Sequence, residues 1–246
     1  MVVWENGVSA RFYSADPPQD GKLRLEGDEA RHLSRVSRFR VGDVVEVFDG
    51  NGGARRAQVV KIDVDGVELS VVGAAMTDRP APLRLILASA VPKGDRFDWL
   101  VEKSTELGIE RLIPIVTERS VVTPGVPKLE RLRRAIVEAS KQCGRNQLMV
   151  LDPLSRWEHL VGTCAGEVKL LADPDGLPPR RWPGITPGRL VVLAVGPEGG
   201  FTDHERQVAD QMGWLAISLS VHTLRIETAG LVGCAALLTH VKEPDS

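Results

Sequence analysis

The pattern of hydrophobic and polar positions changes its period near residue 80. Up to that point, short apolar-rich runs alternate with turn residues, which predicts strands over residues 11–13, 43–48, 57–62 and 67–72. Residues 49–53 read Asp-Gly-Asn-Gly-Gly and predict a turn between two of these strands. One helix is predicted over residues 28–39. Such a succession of short strands is typical of a small β-barrel.

Two prolines in residues 77–82 break this pattern and indicate a linker. Beyond it, strands are predicted over residues 83–89, 111–117, 168–172, 189–195 and 215–219. Helices are predicted over residues 95–107, 129–143, 202–212 and 227–241, with Gly108 as a left-handed cap behind the first. This alternation predicts an α/β domain with a parallel sheet covered by helices on both faces. The predicted domains are therefore residues 1–76 and 83–246.

Composition and charge limit the classes of function. The longest apolar stretches, such as residues 83–91, are far shorter than the roughly 20 residues that cross a bilayer, so no membrane partner is expected. The first ten residues lack the basic and apolar segments of a secretory signal, which favours the cytoplasm. Three widely separated cysteines offer no metal-ligand spacing, so no metal is expected. A net charge of −2 excludes a general polycation but leaves room for local basic faces.

The strongest local signal is a glycine-rich segment at residues 196–200, Gly-Pro-Glu-Gly-Gly, between a predicted buried strand and a predicted helix. Glycines let the backbone approach a ligand closely, and open α/β sheets bind ligands at the carboxyl ends of their strands. Thr202 and Glu205 have capping-box spacing, which fixes where the loop ends. The pattern favours a ligand-binding loop over a plain strand-to-helix turn, and it lacks the glycine spacing of dinucleotide-binding proteins.

A second segment, residues 219–229, also runs from a strand end into a helix. It places Arg225 and Glu227 where a ligand lies in such sheets. Two interpretations stay open at this point. The two side chains either contact a ligand or form a surface ion pair, with Thr228 capping the helix.

Several motifs in fixed order resemble the RsmE family of 16S ribosomal RNA (uracil-N3)-methyltransferases, within the SPOUT superfamily. The resemblance rests on Leu-Arg-Ile-Glu-Thr-Ala at residues 224–229 behind the glycine-rich loop. It continues in Lys93-Gly94, residues 102–108, Pro114, residues 118–120 and residues 142–146. Residues 31–36, 41–43 and 48–50 resemble the family's PUA-like RNA-binding barrel, so nearly the whole chain is covered.

The resemblance implies a deep trefoil knot in the C-terminal domain, a homodimer, and S-adenosyl-L-methionine as the cofactor bound in the knot. Three loops would hold the cofactor, at residues 171–173, 196–200 and 219–225. The expected cofactor-binding residues are Leu171, Ala172, Gly196, Pro197, Glu198, Gly199, Gly200, Leu219, Ser220, Leu224 and Thr228. The expected substrate is one uridine of 16S ribosomal RNA in the assembled small subunit.

Methylation of uracil N3 requires that its proton be removed or that the developing ring charge be stabilised. Arg225 is the first catalytic candidate, because a guanidinium stays charged and can donate to a uracil carbonyl oxygen. Glu198 and Glu227 are the candidates for a base or a positioning group. His222 also falls in a cofactor loop, where an exposed residue without a partner is the simpler interpretation.

A basic face is predicted on the N-terminal helix, where three arginines recur at spacings of four and three. Charged faces are usually only solvated, but on a PUA-like barrel phosphate contacts become the better interpretation. The candidate RNA-binding residues are Arg11, Arg31, Arg35 and Arg38, with Lys93, Arg119 and Arg145 from the matching motifs.

The chain departs from the family pattern at residues 219–221, which read Leu-Ser-Val where the family usually has Leu-Gly-Pro. If that glycine takes a positive φ, Ser220 is expected to be strained by about 1 kcal/mol or more. Two alternatives therefore remain beside methylation of 16S ribosomal RNA. One is a knotted methyltransferase acting on another RNA, and the other is a non-catalytic RNA-binding assembly factor.

Overall fold

The computed structural model describes residues 10–79 and 81–241, and the chain divides into two compact units. The N-terminal unit holds the described residues up to Arg79 together with Val137–Leu148, and the C-terminal unit holds the rest. The sequence-based boundaries place residues 137–148 in the C-terminal domain, which differs from this division. The Asp78 carboxylate accounts for the difference in part, because it accepts the backbone N–H groups of Asn146 and Gln147 over 2.7–3.0 Å.

The N-terminal unit is built on a five-stranded sheet. Its strands follow the order β1-β3-β4-β5-β2, in which only β1 and β3 are parallel. Alternate residues of these strands, such as Val45 and Val47, point into a core that includes Phe12, Leu33 and Leu69. The five strands are β1 (Arg11–Tyr13), β2 (Lys22–Leu25), β3 (Val44–Phe48), β4 (Gly53–Ile62) and β5 (Val67–Thr77).

The helix of this unit is shorter than predicted. Helix α1 (Gly27–Arg31) continues into a π-helical turn (His32–Val36), closed by a hydrogen bond from Ser37 N–H to His32 O. Arg38 follows with φ 56°, a left-handed conformation that no helix continues through. The prediction that Arg38 shares a helical face with Arg31 and Arg35 is therefore wrong.

The C-terminal unit is built on a seven-stranded sheet in which every pairing is parallel, as the alternation predicts. The strand order is β12-β10-β11-β6-β7-β8, and β9 pairs with β7 further along that strand. The strands are β6 (Arg84–Ala90), β7 (Arg111–Val116), β8 (Val150–Leu151), β9 (Ser155–Arg156), β10 (Val168–Leu177), β11 (Leu190–Val195) and β12 (Leu215–Ile217).

Five helices of the described chain follow the strands of this sheet, four of them where the sequence predicts them. Gly108 has φ 78°, which confirms the predicted left-handed cap behind α2. Helix α4 was not predicted, because it is short and lies in a segment with weak periodicity. The helices are α2 (Arg96–Glu106), α3 (Val126–Cys143), α4 (Trp157–Thr163), α5 (Asp203–Gln211) and α6 (Ile226–Thr239).

Helix α6 packs on β6, β11 and α2. It therefore brings the end of the segment 219–229 to the sheet. Gly233 permits this close packing, since a Cβ at that position would lie 2.5 Å from the Leu193 side chain. Within the described residues, no helix is both long and apolar enough to cross a membrane.

Candidate active site

Three neighbouring strands end at the same edge of the C-terminal sheet. Strands β12, β10 and β11 are adjacent and parallel, so the segments that follow them converge. Residues from these segments surround a cleft with a volume of about 290 Å³. This is close to the lower end of the roughly 300–1,000 Å³ that is usual for small-molecule sites.

The glycine loop, residues 196–200, forms one wall of the cleft. Its turn is closed by a hydrogen bond from Gly200 N–H to Pro197 O over 2.8 Å, and Gly200 has φ 68°. Gly196 lies tight against the ring of Phe201, since a Cβ there would be 3.0 Å from two ring carbons. Phe201 is itself buried against Trp157, with ring centroids 4.8 Å apart. The loop therefore rests on a fixed aromatic support.

The predicted capping box is present at the start of α5 and anchors the end of the glycine loop. Glu205 N–H donates to Thr202 Oγ1 over 3.2 Å, and Thr202 N–H donates to Glu205 Oε2 over 2.8 Å. The second carboxylate oxygen of the buried Glu205 accepts the N–H of Glu118 over 2.9 Å. One buried side chain thus ties the glycine loop to the turn behind β7.

A second wall comes from residues 173–176, which leave the register of β10. Ala172 and Leu177 both pair with Ile217, so the four residues between them extend away from the strand. Buried Asp173 accepts the N–H of Asp175 over 2.9 Å and pairs with Arg206 over 3.2 Å. Hydrogen bonds first to Asp203 and then to Asp173 raise the pKa of Arg206. These contacts fix the shape of the wall.

The third wall is the segment 218–225, in which the chain departs from the family pattern. Ser220 is not among the described residues with positive φ, so the expected backbone strain is absent. Its hydroxyl oxygen accepts the N–H of His222 over 3.1 Å, and Ser218 donates to its carbonyl over 3.3 Å. Ser220, in the place of the family's glycine, therefore stabilises this segment by local hydrogen bonds, and Val221 stands where the family's proline would restrict φ. Val221 at its tip is 94% exposed.

Most residues predicted to bind the cofactor lie together at this cleft. Leu171 is buried in β10 and does not line it, and Thr228 is half-buried on α6 and does not line it either. The predicted residues that line the cleft are Ala172, Gly196, Pro197, Glu198, Gly199, Gly200, Leu219, Ser220 and Leu224.

The three catalytic candidates occupy different positions. Glu198 lines the cleft. Arg225 is an exposed N-terminal flanking residue of α6, and both of its neighbours, Leu224 and Ile226, line the cleft. Glu227 is only 5% exposed and lies outside the cleft lining.

The surface ion pair between Arg225 and Glu227 is not formed. The side chain of Glu227 instead lies 3.7 Å from the guanidinium of Arg96 on α2. Thr228 does not cap the helix, because Arg225 occupies the capping position and makes no side-chain cap. Arg225 therefore keeps a guanidinium to which the described part of the chain gives no ion-pair partner.

Several lining residues fall outside the three predicted loops, among them Phe201, Arg206, Ile226 and Ala229. Arg206 comes one helical turn after Thr202, so it lies on the same face of α5. The predicted helix therefore indicated that Arg206 is near the end of the glycine loop. His222 is exposed, as the sequence favours, and it also lines the cleft.

The candidate RNA-binding residues differ in their exposure. Arg11 is a correction, because its side chain is only 9% exposed and its guanidinium pairs with Glu46 over 2.6 Å. It also donates to Asn146 and to Ser140 O, which leaves it enclosed rather than available to a phosphate. Those found exposed are Arg31, Arg35, Arg38, Lys93 and Arg119, whereas Arg145 is half-buried. Arg119 lines the cleft itself.

Within the described residues, no three His, Cys, Asp or Glu side chains are grouped so that they could hold a metal ion. The polar groups at the cleft are instead carboxylates, guanidinium groups and backbone amides, beside an apolar floor of Leu219, Leu224 and Ile226.

Comparison with known proteins gives concordant matches for both units. The model of an RNA methyltransferase domain matches residues 79–238, and that of an RNA methyltransferase PUA domain matches residues 25–72. Ribosomal RNA small subunit methyltransferase E of Synechocystis is 34% identical over 223 residues, which cover 89% of this chain and 73% of that protein. Its Bacillus subtilis counterpart is 25% identical over 232 residues, covering 87% and 88% of the two chains.

A solved structure also matches over nearly the full length. The crystal structure of ribosomal RNA small subunit methyltransferase E from Neisseria gonorrhoeae, bound to S-adenosyl methionine, superimposes with a TM-score of 0.86 at 30% identity. The match covers 94% of this chain and 98% of that one. The chain belongs to this family of RNA methyltransferases, the one that contains the ribosomal RNA small subunit methyltransferase E proteins.

Proposed function

We propose that this protein transfers a methyl group from S-adenosyl-L-methionine to N3 of one uridine in 16S ribosomal RNA. The observation that carries the proposal is the cleft at the carboxyl ends of β10, β11 and β12, lined by nine of the residues that the family resemblance assigns to the cofactor. The relatives named above, one of them solved with S-adenosyl methionine, support methylation of small-subunit ribosomal RNA with this cofactor.

The residues of the cleft fit this cofactor chemically. Leu219, Leu224 and Ile226 offer apolar contacts for a planar base, and Gly196 and Gly199 leave backbone close to the ligand. Carboxylates at the wall, including Glu198, suit a ligand that carries positive charge on sulfur and nitrogen. When bound, the cofactor supplies an activated methyl group attached to a sulfonium.

Arg225 has the central catalytic role in this proposal. Its guanidinium stays charged at any relevant pH and can donate to a uracil carbonyl oxygen as negative charge develops on the ring. The support is positional, because Arg225 is exposed between two lining residues and has no competing ion pair in the described chain. Placing N3 in line with the methyl group supplies much of the remaining acceleration.

Proton removal from N3 is proposed for Glu198, the carboxylate of the glycine loop that lines the cleft. Glu227 is the less suitable of the two candidates, because it is buried beside Arg96 and outside the lining. A positioning role at the start of α6 fits its location better than contact with the substrate.

RNA binding is proposed for three exposed arginines of the N-terminal unit, Arg31, Arg35 and Arg38. Among the described residues, Arg31 forms an ion pair with the exposed Asp28 alone, an interaction that a phosphate can replace at small cost. The match of residues 25–72 to an RNA methyltransferase PUA domain supports this role. Arg11 is left out because its guanidinium is enclosed.

The quaternary state and the chain path are part of the proposal. We infer a homodimer formed through the C-terminal unit, with that unit knotted as in other SPOUT methyltransferases. The exposed Trp99 on α2 and Val232 on α6 support such an interface, since these two helices pack together. An assembled small ribosomal subunit is the substrate form that we propose.

Two experiments separate this function from its alternatives. Mass mapping of ribosomal RNA from a strain that lacks the gene should show the loss of one N3-methyluridine in 16S RNA. Loss of a methyl group from transfer RNA or 23S RNA would favour a related methyltransferase with another substrate. Titration with S-adenosyl-L-methionine tests the assembly-factor alternative, which predicts no binding.

A further inference from the structure

Arg119 lies at the wall of the cleft, on the turn that follows β7. Its Nη1 donates to Gly199 O over 2.7 Å. Its Cδ lies 3.3 Å from the point where a Cβ at Gly199 would be. The arginine therefore contacts the glycine loop with both its charged end and its aliphatic stem.

The backbone that carries Arg119 is itself fixed. Thr117 N–H donates to Ser120 Oγ over 2.9 Å, and Ser120 N–H donates back to Thr117 O over 3.1 Å. The N–H of Glu118 donates to the buried carboxylate of Glu205 over 2.9 Å. Arg119 thus projects from a rigid turn, so its hydrogen bond restrains the loop more than the turn.

The peptide unit between Gly199 and Gly200 is held on both sides. Its oxygen accepts from Arg119, and its N–H donates to Pro197 O over 2.8 Å. Peptides flanked by glycines rotate easily, because neither residue carries a Cβ that limits φ and ψ. A rotation here would break the turn and redirect a carbonyl at the wall of the cleft.

We propose that Arg119 is a positioning residue that holds the glycine loop in the conformation that accepts S-adenosyl-L-methionine. The restraint on the loop follows from contacts within the chain, and only the identity of the ligand rests on the proposed function. This role differs from the RNA contact that the family motif suggests, in which Arg119 would act on the substrate.

Hydrogen exchange of the ligand-free protein tests the restraint directly. Arg119→Ala should make the amides of residues 196 and 198–202 exchange about 5- to 10-fold faster, the effect expected when a hydrogen bond of ordinary net strength is lost. Arg84→Ala is the matched control. Arg84 is also exposed and donates two hydrogen bonds to Glu110 over 2.8 and 2.9 Å, but it lies at the amino end of β6.

Calorimetry with S-adenosyl-L-methionine alone tests the consequence for the cofactor. Arg119→Ala should weaken cofactor binding by roughly tenfold, whereas Arg84→Ala should leave it unchanged. Arg119→Lys keeps a charged N–H donor without the planar fork, so it should restore most of the protection and most of the affinity. If Arg119 acted only by filling space and not through its N–H donor, Arg119→Lys would not restore protection and affinity in this way.

The outcomes separate the two roles of Arg119. Unchanged exchange at residues 196–202 in Arg119→Ala would overturn the positioning role. A higher KM for RNA with unchanged exchange and unchanged cofactor affinity would instead make Arg119 an RNA contact. A wild-type protein that binds no cofactor would overturn the proposed function, while the exchange measurement would still decide whether Arg119 restrains the loop.

Discussion

Arginines that look equivalent in the sequence serve different purposes in the fold. Arg11 and Arg35 are both basic residues of the N-terminal unit, yet Arg11 is enclosed by Glu46 and by residues 140–146. Arg35 is exposed. Burial of a guanidinium depends on partners more than a hundred positions away, so local spacing could not separate the two residues.

Substitution of Arg11 should therefore lower stability. Arg11→Ala leaves the part-buried Glu46 carboxylate and Asn146 without this donor, and the loss of a hydrogen bond to a charged group costs about 1.5–3 kcal/mol of unfolding free energy. Denaturant unfolding measures this loss. The contrasting variant is Arg35→Glu, which should keep the stability and flatten the salt dependence of RNA binding by about one unit. Equal stability of Arg11→Ala and wild type would contradict the structural role.

Arg225 is the residue on which the proposed chemistry depends most. Arg225→Ala should lower the rate of methyl transfer about 10²–10³-fold, because a preorganised charge contact contributes about 2.7–4 kcal/mol in the transition state. Arg225→Lys should also be impaired, since it loses the planar fork. Single-turnover methylation of small ribosomal subunits with saturating cofactor measures both variants. Near wild-type rates would contradict the catalytic role of Arg225, and Glu198 would be the next residue to test.

Residues of the candidate site could be predicted where the local sequence determines the backbone. The glycine loop and the Thr202 capping box lie within a few residues of their own strand and helix, so short-range patterns were sufficient. Glu227 and Arg119 were harder to interpret. Their surroundings come from α2 and from the glycine loop, 131 and 80 positions away in sequence.

Elements were predicted well where their period is regular and less well where the backbone leaves it. The hydrogen bond from Ser37 to His32 forms a π-helical turn, which ends the first helix three residues earlier than residues 28–39 suggest. In β10, residues 173–176 leave the register, and Gly176 lies so close to the next strand that a Cβ there would be 2.5 Å from the backbone nitrogen of Ile217. Neither feature has a periodic signal in the sequence.

A side chain at Gly199 should allow the protein to fold but should weaken cofactor binding. Gly199→Val places methyl groups against the Arg119 stem and at the cleft wall, where the nearest atom is a flexible side chain 3.3 Å away. We expect a folded protein with at least tenfold weaker binding of S-adenosyl-L-methionine, measured by calorimetry. The control is Gly162→Ala on α4, because nothing lies within 4 Å of that Cβ position.

At the scale of the whole molecule, alternation predicts a parallel sheet but not its strand order. The sequence places β10, β11 and β12 one after another, whereas the sheet has β10 between the other two. This arrangement is what brings three loops to one cleft. The strand order depends on pairing between strands that are far apart in the sequence. Local periodicity cannot predict that pairing.

The proposed homodimer is a property of the whole molecule and has a direct test. Specific dimers bury well over 1,000 Å², so we expect this dimer to stay associated at micromolar concentration. Light scattering at that concentration should then give twice the mass of one chain. Trp99 is 46% exposed and Val232 is 41% exposed on packed helices, so Trp99→Glu should shift the population toward monomers. Val64→Glu, at a fully solvated hairpin tip, is the control. A monomeric wild type would contradict the interface.

The aromatic side chains beneath the glycine loop should give the protein an intrinsic spectroscopic signal for changes at the cleft. Trp157 is fully buried, with Phe201 at 4.8 Å on one side and Trp214 at 5.1 Å on another. An indole held rigidly among other rings gives a near-ultraviolet circular dichroism band that depends on their packing. Because Phe201 also lines the cleft, a ligand that shifts its ring should change this band. Stopped-flow spectroscopy could then follow loop motion without an attached dye, and Phe201→Leu should abolish the signal.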